Sequence, residues 1–240
     1  MAKYDLAFIA QMITQIQETS HKRLSISVLE KNWQSPVFHI RVTESSTGAE
    51  GYSDDPNLAL AIVKATHECI ERFHYFSQSE LHFSTNGFAT HFDKSLALKS
   101  AREEICERDA FFSLWLLKRA CKILPLKNFL NENSQISLQI MQNLEKTGIK
   151  FILGQIASFD SQIICLAQIQ GRDSALDFDC ALFPVIAESI EKCFETALID
   201  SCRLLNGFFT FKKQGKWQEF RDGVKDPNML FSTIDHLRYY

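Results

Sequence analysis

The sequence predicts an α+β fold with largely antiparallel sheet pairing, on three observations. Segments alternating apolar and polar residues come in pairs, LSISVLE (24–30) with VFHIRVTE (37–44) and IKFILGQIA (149–157) with SQIICLAQI (161–169). Long helical stretches lie between the pairs, without the single-strand, single-helix alternation of a doubly wound parallel sheet. No linker composition divides the 240 residues, so one domain spanning 1–240 is expected.

Along the chain, Leu6, Ile9, Met12, Ile13 and Ile16 fit one face of a first helix. This segment lacks the sustained apolar stretch and small-residue cleavage site of a targeting signal. The strands at 24–30 and 37–44 follow, parted by a turn at Ser35-Pro36. SSTGAEGYSDDPN (45–57) reads as a loop, its end placing Asp55 as a cap and Pro56 at the first helical position. A helix over about 57–76 carries HECIERF, and a short extended piece, ELHFSTNG, leads to a second over about 93–120 carrying EEICERDAFF. SLQIMQNLEKTG predicts a helix closed by Gly148. The second strand pair forms a hairpin across Ser158–Ser161, and ALFPVIAESIEKCFETALIDSCRLLN (181–206) reads as a further long helix. Trp115, Phe111 and Phe112 are assigned to helix core, as are Ile70 and Ile105.

Composition removes several functions. A net charge of −3 without a basic run argues against a nucleic-acid surface. No apolar run approaches the ~20 residues of a membrane span. Seven cysteines without a C-x-x-C pair support neither a disulfide framework nor a zinc site, and point to a reducing cytoplasm. GAEGY lacks the Lys-Ser/Thr of a phosphate loop and reads as a turn. His67, His74, His82 and His91 lack ligand spacing, and Asp235-His236 reads as structural.

The informative feature is a near-repeat. Glu68, Glu71 and Arg72 recur as Glu104, Glu107 and Arg108, each 36 positions later. Residues three apart share a helix face, so each helix carries a two-carboxylate patch. Each Arg, next in sequence and about 100° round the helix, flanks its patch without neutralising it directly. Packed side by side, the helices would gather up to four carboxylates, an arrangement that needs cations to fill it. Mg²⁺ prefers oxygen ligands and shares them with phosphates, which makes a nucleotide site conceivable. The other reading is two solvated faces, since Glu and Arg are good helix formers.

The stretch STNGFATHFDKSLALKSAREEICERDAFF (84–112) resembles the YcaO family, whose hallmark is S-x-N-G-x-A followed by A…E-x-x-E-R-D-A. HECIERF resembles that family's earlier helix, and STIDHLRYY (232–240) its late D-H-x-x-x-Y segment. The resemblance implies a mixed α+β fold of the YcaO type and a protein that binds ATP and Mg²⁺ and phosphorylates a peptide amide oxygen. The products in that family are azolines, thioamides or amidines in ribosomally made peptides. It further implies that Glu68, Glu71, Glu104 and Glu107 are acidic ligands of Mg²⁺–ATP. Ser84 and Asn86 would lie near the nucleotide, and Arg108 would meet a phosphate or brace the carboxylates. No enzyme nucleophile is implied, because the substrate supplies it. A substrate peptide and a partner protein that recognises it are the implied partners, a homodimer is left open, and neither nucleic acid nor membrane is expected. The chain is short for the family: eleven residues separate Arg72 from Ser84, and Thr90-His91-Phe92 stands where the family often has Gly. These departures keep two alternatives in play, a scaffold or regulatory subunit that has lost the chemistry and another ATP-using ligase or kinase-like enzyme.

Overall fold

The computed structural model describes residues 23–77, 86–91, 93–129, 134–171, 174 and 176–220, with the helical positions 7, 11, 14 and 18. The expected apolar face of the first helix, Ser84, His82 and the C-terminal STIDHLRYY lie outside the described residues. The chain divides into two compact units, one holding Val37–Arg102 and the strand before it, the other holding Lys31–Pro36 and the chain from Glu103.

The first unit is an antiparallel meander, β1 (Leu24–Val28), β2 (Phe38–Glu44) and β3 (Glu50–Asp55), with helix α1 (Leu58–Ser77) on one face. Alternation along β2 buries Ile40 and Val42 against Ala59, Ala61, Ile62, Val63, Ala65 and Cys69 of α1. The expected loop at 45–57 contains β3, which corrects the sequence reading. Gly-Tyr-Ser-Asp-Asp is a poor strand sequence by propensity. Pairing with β2, from Phe38↔Asp55 to Thr43↔Glu50, overrides it by giving the backbone its partners. The helix start moves too. Asn57, not Asp55, caps α1, its Oδ1 accepting from Leu60 N at 3.1 Å, while Asp55 Oδ1 accepts from Asn57 N at 2.8 Å.

Two positions hold this unit together. A Cβ on Gly51 would stand 2.0 Å from the Ala65 carbonyl oxygen and 2.2 Å from Cys69 N, so helix and strand touch only because that side chain is absent. At the β2–β3 turn, Glu44 is only 2% exposed and accepts from Ser46 N and Thr47 N at 2.8 Å each and from Thr47 Oγ1 at 2.7 Å. Burial pushes the Glu44 carboxyl up, but these hydrogen bonds outweigh it and hold it at about 2.

Helix α2 (Lys94–Leu117) begins in the first unit and runs into the second. Asp93 caps it, its Oδ1 accepting from Ser95 N at 2.7 Å and Leu96 N at 3.0 Å. The second unit is a four-stranded antiparallel sheet in the order β4-β5-β6-β7: β4 (Lys122–Ile123), β5 (Lys150–Phe159), β6 (Gln162–Gly171) and β7 (Phe178–Ala187). Helices α3 (Gln135–Lys146) and α4 (Ile190–Lys213) supply Ile140, Leu144, Phe194, Leu198 and Leu205 to its core. Gly148, at φ +71°, follows α3 as expected, and Ile149 N bonds back to Leu144 O at 2.9 Å. The hairpin turns at Asp160-Ser161.

The long helix expected over 181–206 starts only at Ile190. ALFPVIA is part of β7, and Pro184 is tolerated there because β7 is the outer strand, paired on one side only, Leu166 opposite Pro184. Ser189 caps α4 by accepting from Lys192 N at 3.1 Å. The segment 31–36 is tied to this unit by Asn206, whose Oδ1 accepts from Asn32 N at 2.6 Å and Trp33 N at 3.3 Å. Asn143 Nδ2 adds a bond to Gln34 O at 3.0 Å.

Replacing Gly51 with Ala should destabilise the protein by about 3 kcal/mol in urea denaturation, since neither contacting group is a flexible side-chain end. Glu44 has its carboxyl at about 2 when folded against 4.5 ordinarily, so its contribution is present above pH 4.5 and is lost as the pH falls towards 2. Denaturation of Glu44→Gln at a series of pH values should show an acid-induced loss of stability smaller than wild type by on the order of 3 kcal/mol.

Candidate functional site

The carboxylates of α1 are built into the first unit. Glu68 Oε2 accepts from Tyr52 N at 2.6 Å, and Oε1 pairs with Arg72 Nη2. Arg72 is buried; its Nη1 donates to Glu50 O, and its guanidinium stands 5.9 Å over the Tyr52 ring. The expectation that Arg72 flanks the patch without direct neutralisation is corrected. It sits four residues after Glu68, one helical turn on, where a direct pair forms. Burial, with Glu50 beside it, pushes the Tyr52 phenol up to about 12.

Glu71 faces a different neighbour. Its Oε1 accepts from Thr90 N at 2.8 Å. Thr90 Oγ1 donates to His67 O at 2.9 Å, and His67 Nδ1 lies 2.8 Å from Thr90 O, which places the ring proton on Nδ1. Burial holds His67 below its ordinary value, His91 with its ring 5.6 Å away pushes the same way, and the Thr90 carbonyl opposes both. His67 is therefore neutral at pH 7. The segment after Asn86-Gly87, a turn with Gly87 at φ +82°, is stapled to α1 through Glu71 and His67.

On α2 the ion pairs to the arginine are longer. Arg108 Nη2 is 3.9 Å from Glu104 Oε1 and Nη1 is 3.5 Å from Glu107 Oε1, beyond good hydrogen-bond length. Among the described residues, Arg108 Nε is buried and has no hydrogen-bond partner, as is also so of Arg41 Nε. A buried unsatisfied N–H costs about 1–3 kcal/mol. An anion of the phosphate class would satisfy it, and two adjacent carboxylates suit a hard cation that shares its ligands with phosphate oxygens. Among the described residues, no group of three or more His, Cys, Asp and Glu side chains gathers to hold a metal.

Glu68 and Glu71 thus share one helix in the first unit, and Glu104, Glu107 and Arg108 share another in the second. Asn86 is exposed at its turn. Sequence reasoning missed one pair. His39 Nδ1 meets Asp54 Oδ1 across the register pair His39↔Asp54, both residues being buried, and His39 Nε2 has no hydrogen-bond partner among the described residues. Only the position of β3 as a strand could have revealed it, because 15 residues separate the two.

The sequence matches no protein-family model and no curated protein. The fold, in contrast, matches solved structures. The YcaO protein of Methanopyrus kandleri, determined with AMPPCP and Mg²⁺, superposes with a TM-score of 0.61 at 13% identity, over 86% of this chain and 68% of that one. The Escherichia coli microcin synthetase McbBCD complex matches with a TM-score of 0.59 at 13% identity, over 85% of this chain and 69% of that one. The same complex with pro-MccB17 bound gives 0.59 at 13% identity, over 78% and 65%. The fold is YcaO-like, as the motifs in 67–73 and 84–112 imply.

The two Glu-x-x-Glu-Arg motifs should respond differently to mutation. Arg72→Met leaves Glu68 without its buried partner and should cost about 3 kcal/mol in chemical denaturation. Arg108→Met, whose contacts are longer, should cost less than about 1 kcal/mol.

Proposed function

We propose that the chain, acting as one YcaO-like domain over 1–240, binds Mg²⁺–ATP and activates a peptide backbone amide by phosphorylation. The observation that carries this reading is Arg108, half-buried beside Glu104 and Glu107, whose buried Nε has no hydrogen-bond partner among the described residues. The YcaO-like fold and the AMPPCP- and Mg²⁺-bound neighbour support it. Glu104 and Glu107, with Glu68 and Glu71, are the carboxylates that would hold Mg²⁺. Ser84 and Asn86 would approach the nucleotide. Arg108 would donate to phosphate oxygens and stabilise charge on the transferring group. Bound Mg²⁺ would neutralise phosphate charge. The nucleophile comes from the peptide, so the chain's own work is to bind, orient and screen.

The modified peptide would carry an azoline, or a thioamide or amidine made through the same activation. The complexes among the structural neighbours support a partner protein that recognises the peptide. One observation favours a second reading, a scaffold or regulatory subunit with this fold. Both oxygens of Glu68 are already engaged, by Tyr52 N and Arg72, which is the bonding of a structural residue.

Thermal unfolding of the full chain with Mg²⁺ and ATP separates the two. A ligand that binds only the native state adds about 2.7 kcal/mol at a hundred times its Kd. The wild type should show a Mg²⁺-dependent rise in Tm with ATP that Glu104→Gln/Glu107→Gln lacks, while the variant's own Tm stays near wild type. A wild type indifferent to Mg²⁺–ATP would overturn the nucleotide-binding reading.

A further inference from the structure

Helix α2 ends against the expectation for its aromatic residues. Phe111 is its one fully buried residue, whereas Ile105 and Trp115 are 53% and 54% exposed. The chain leaves the helix through Lys118, at φ +50°, and enters β4. Over these residues its apolar side chains face outward: Leu116 is 73% exposed, Leu117 59% and Ile123 61%. Trp115 is held in place by its stacked contact with Phe111, at 6.5 Å between ring centroids. Single exposed hydrophobics are ordinary, but here Trp115, Leu116, Leu117 and Ile123 fall within nine residues of chain.

The charge along this run has one sign. LWLLKRACKILPLKN (114–128) holds Lys118, Arg119, Lys122 and Lys127 and no acidic residue, in a chain whose net charge is −3. All four cations are exposed. The run also borders a sheet edge. Among the described residues β4 is the outer strand of its sheet, pairing Lys122↔Gln155 and Ile123↔Gly154 with the ten-residue β5, with Leu124 N bonding to Leu153 O at 2.9 Å. Gly154 makes that register possible, because a Cβ there would stand 2.7 Å from Cys121 Sγ. An edge lysine protects a strand from unwanted pairing, but an exposed isoleucine beside it and a Trp-Leu-Leu run before it do the opposite.

We propose that this face docks an extended acidic–apolar segment of a partner polypeptide, laid along the edge of β4. Its backbone would pair with the strand, its apolar side chains would cover Trp115, Leu116 and Ile123, and its carboxylates would meet Lys118, Arg119 and Lys122. A second copy of this chain is disfavoured, since it would bring the same cations against themselves. A membrane surface is disfavoured because it makes no use of a strand edge. The inference is independent of nucleotide binding.

The test uses the full chain and a fluorescent synthetic peptide alternating Glu with Val and Leu, compared with the same peptide carrying Lys for Glu. Anisotropy should show the acidic peptide binding at least about tenfold tighter, with Lys118→Glu/Arg119→Glu/Lys122→Glu abolishing the preference. Hydrogen exchange of the Ile123 amide, which alternation turns away from β5 while Leu124 N bonds to Leu153 O, should slow on binding. The triple-alanine variant at the same positions, with circular dichroism confirming its fold, should weaken binding without reversing it. Equal affinity for both peptides, or acidic-peptide binding that survives the charge reversal, overturns the proposal. So does capture by phosphatidylserine vesicles without peptide binding, or self-association that the charge reversal abolishes.

Discussion

The first unit is organised by the missing side chain at Gly51. With only hydrogens on that Cα, the backbone of α1 settles directly on β3, and the neighbouring contacts follow from that spacing. Cys69 Sγ comes within 3.3 Å of Ala49 O, and Glu68 reaches the Tyr52 amide at 2.6 Å. Arg72, one turn further on, spans from Glu68 to the carbonyl of Glu50. These bonds satisfy polar groups that the close approach takes out of water, which is why a buried arginine is tolerable here. The opposite side of α1 is then free to staple the segment around Thr90 through Glu71 and His67.

Two short motifs of the same composition therefore do different physical work. In HECIERF, the Glu–Arg pair is part of the joint between helix and sheet. In EEICERDA, the arginine lies at longer range from both carboxylates and keeps a buried N–H without a partner among the described residues. The contrast arises from what each helix packs against. α1 buries a broad face on a sheet, and α2 buries Phe111 alone. A side chain that closes a packing joint has its bonds chosen by that joint, while one on a sparsely packed helix does not.

Much of the fold was legible because it rests on periodicity. Alternation at 24–30 and 37–44 marks β1 and β2, the apolar spacing of 58–77 marks α1, and Gly148 marks the end of α3. Two elements were misread where local chemistry and tertiary pairing disagree. β3 is written in Gly, Ser and Asp, and β7 contains a proline, so neither looks like a strand until a neighbouring strand supplies its hydrogen bonds. The candidate carboxylates were legible as residues, because E-x-x-E-R at helical spacing survives without knowledge of packing. The His39–Asp54 pair was not, because it depends on the register of β3.

The sequence by itself determined the helices, the antiparallel pairing, the two acidic motifs and the YcaO-like character of the fold. Each is a local pattern, set by the periods of helix and strand and by the spacing of side chains along one element. Tertiary structure alone decided which glutamate is a structural brace, which arginine keeps an unsatisfied N–H, and which apolar residues of α2 and β4 face water. Those outcomes depend on which backbone lies within a few ångströms of which side chain. That distance is set by packing between elements and is written in no single stretch of the chain.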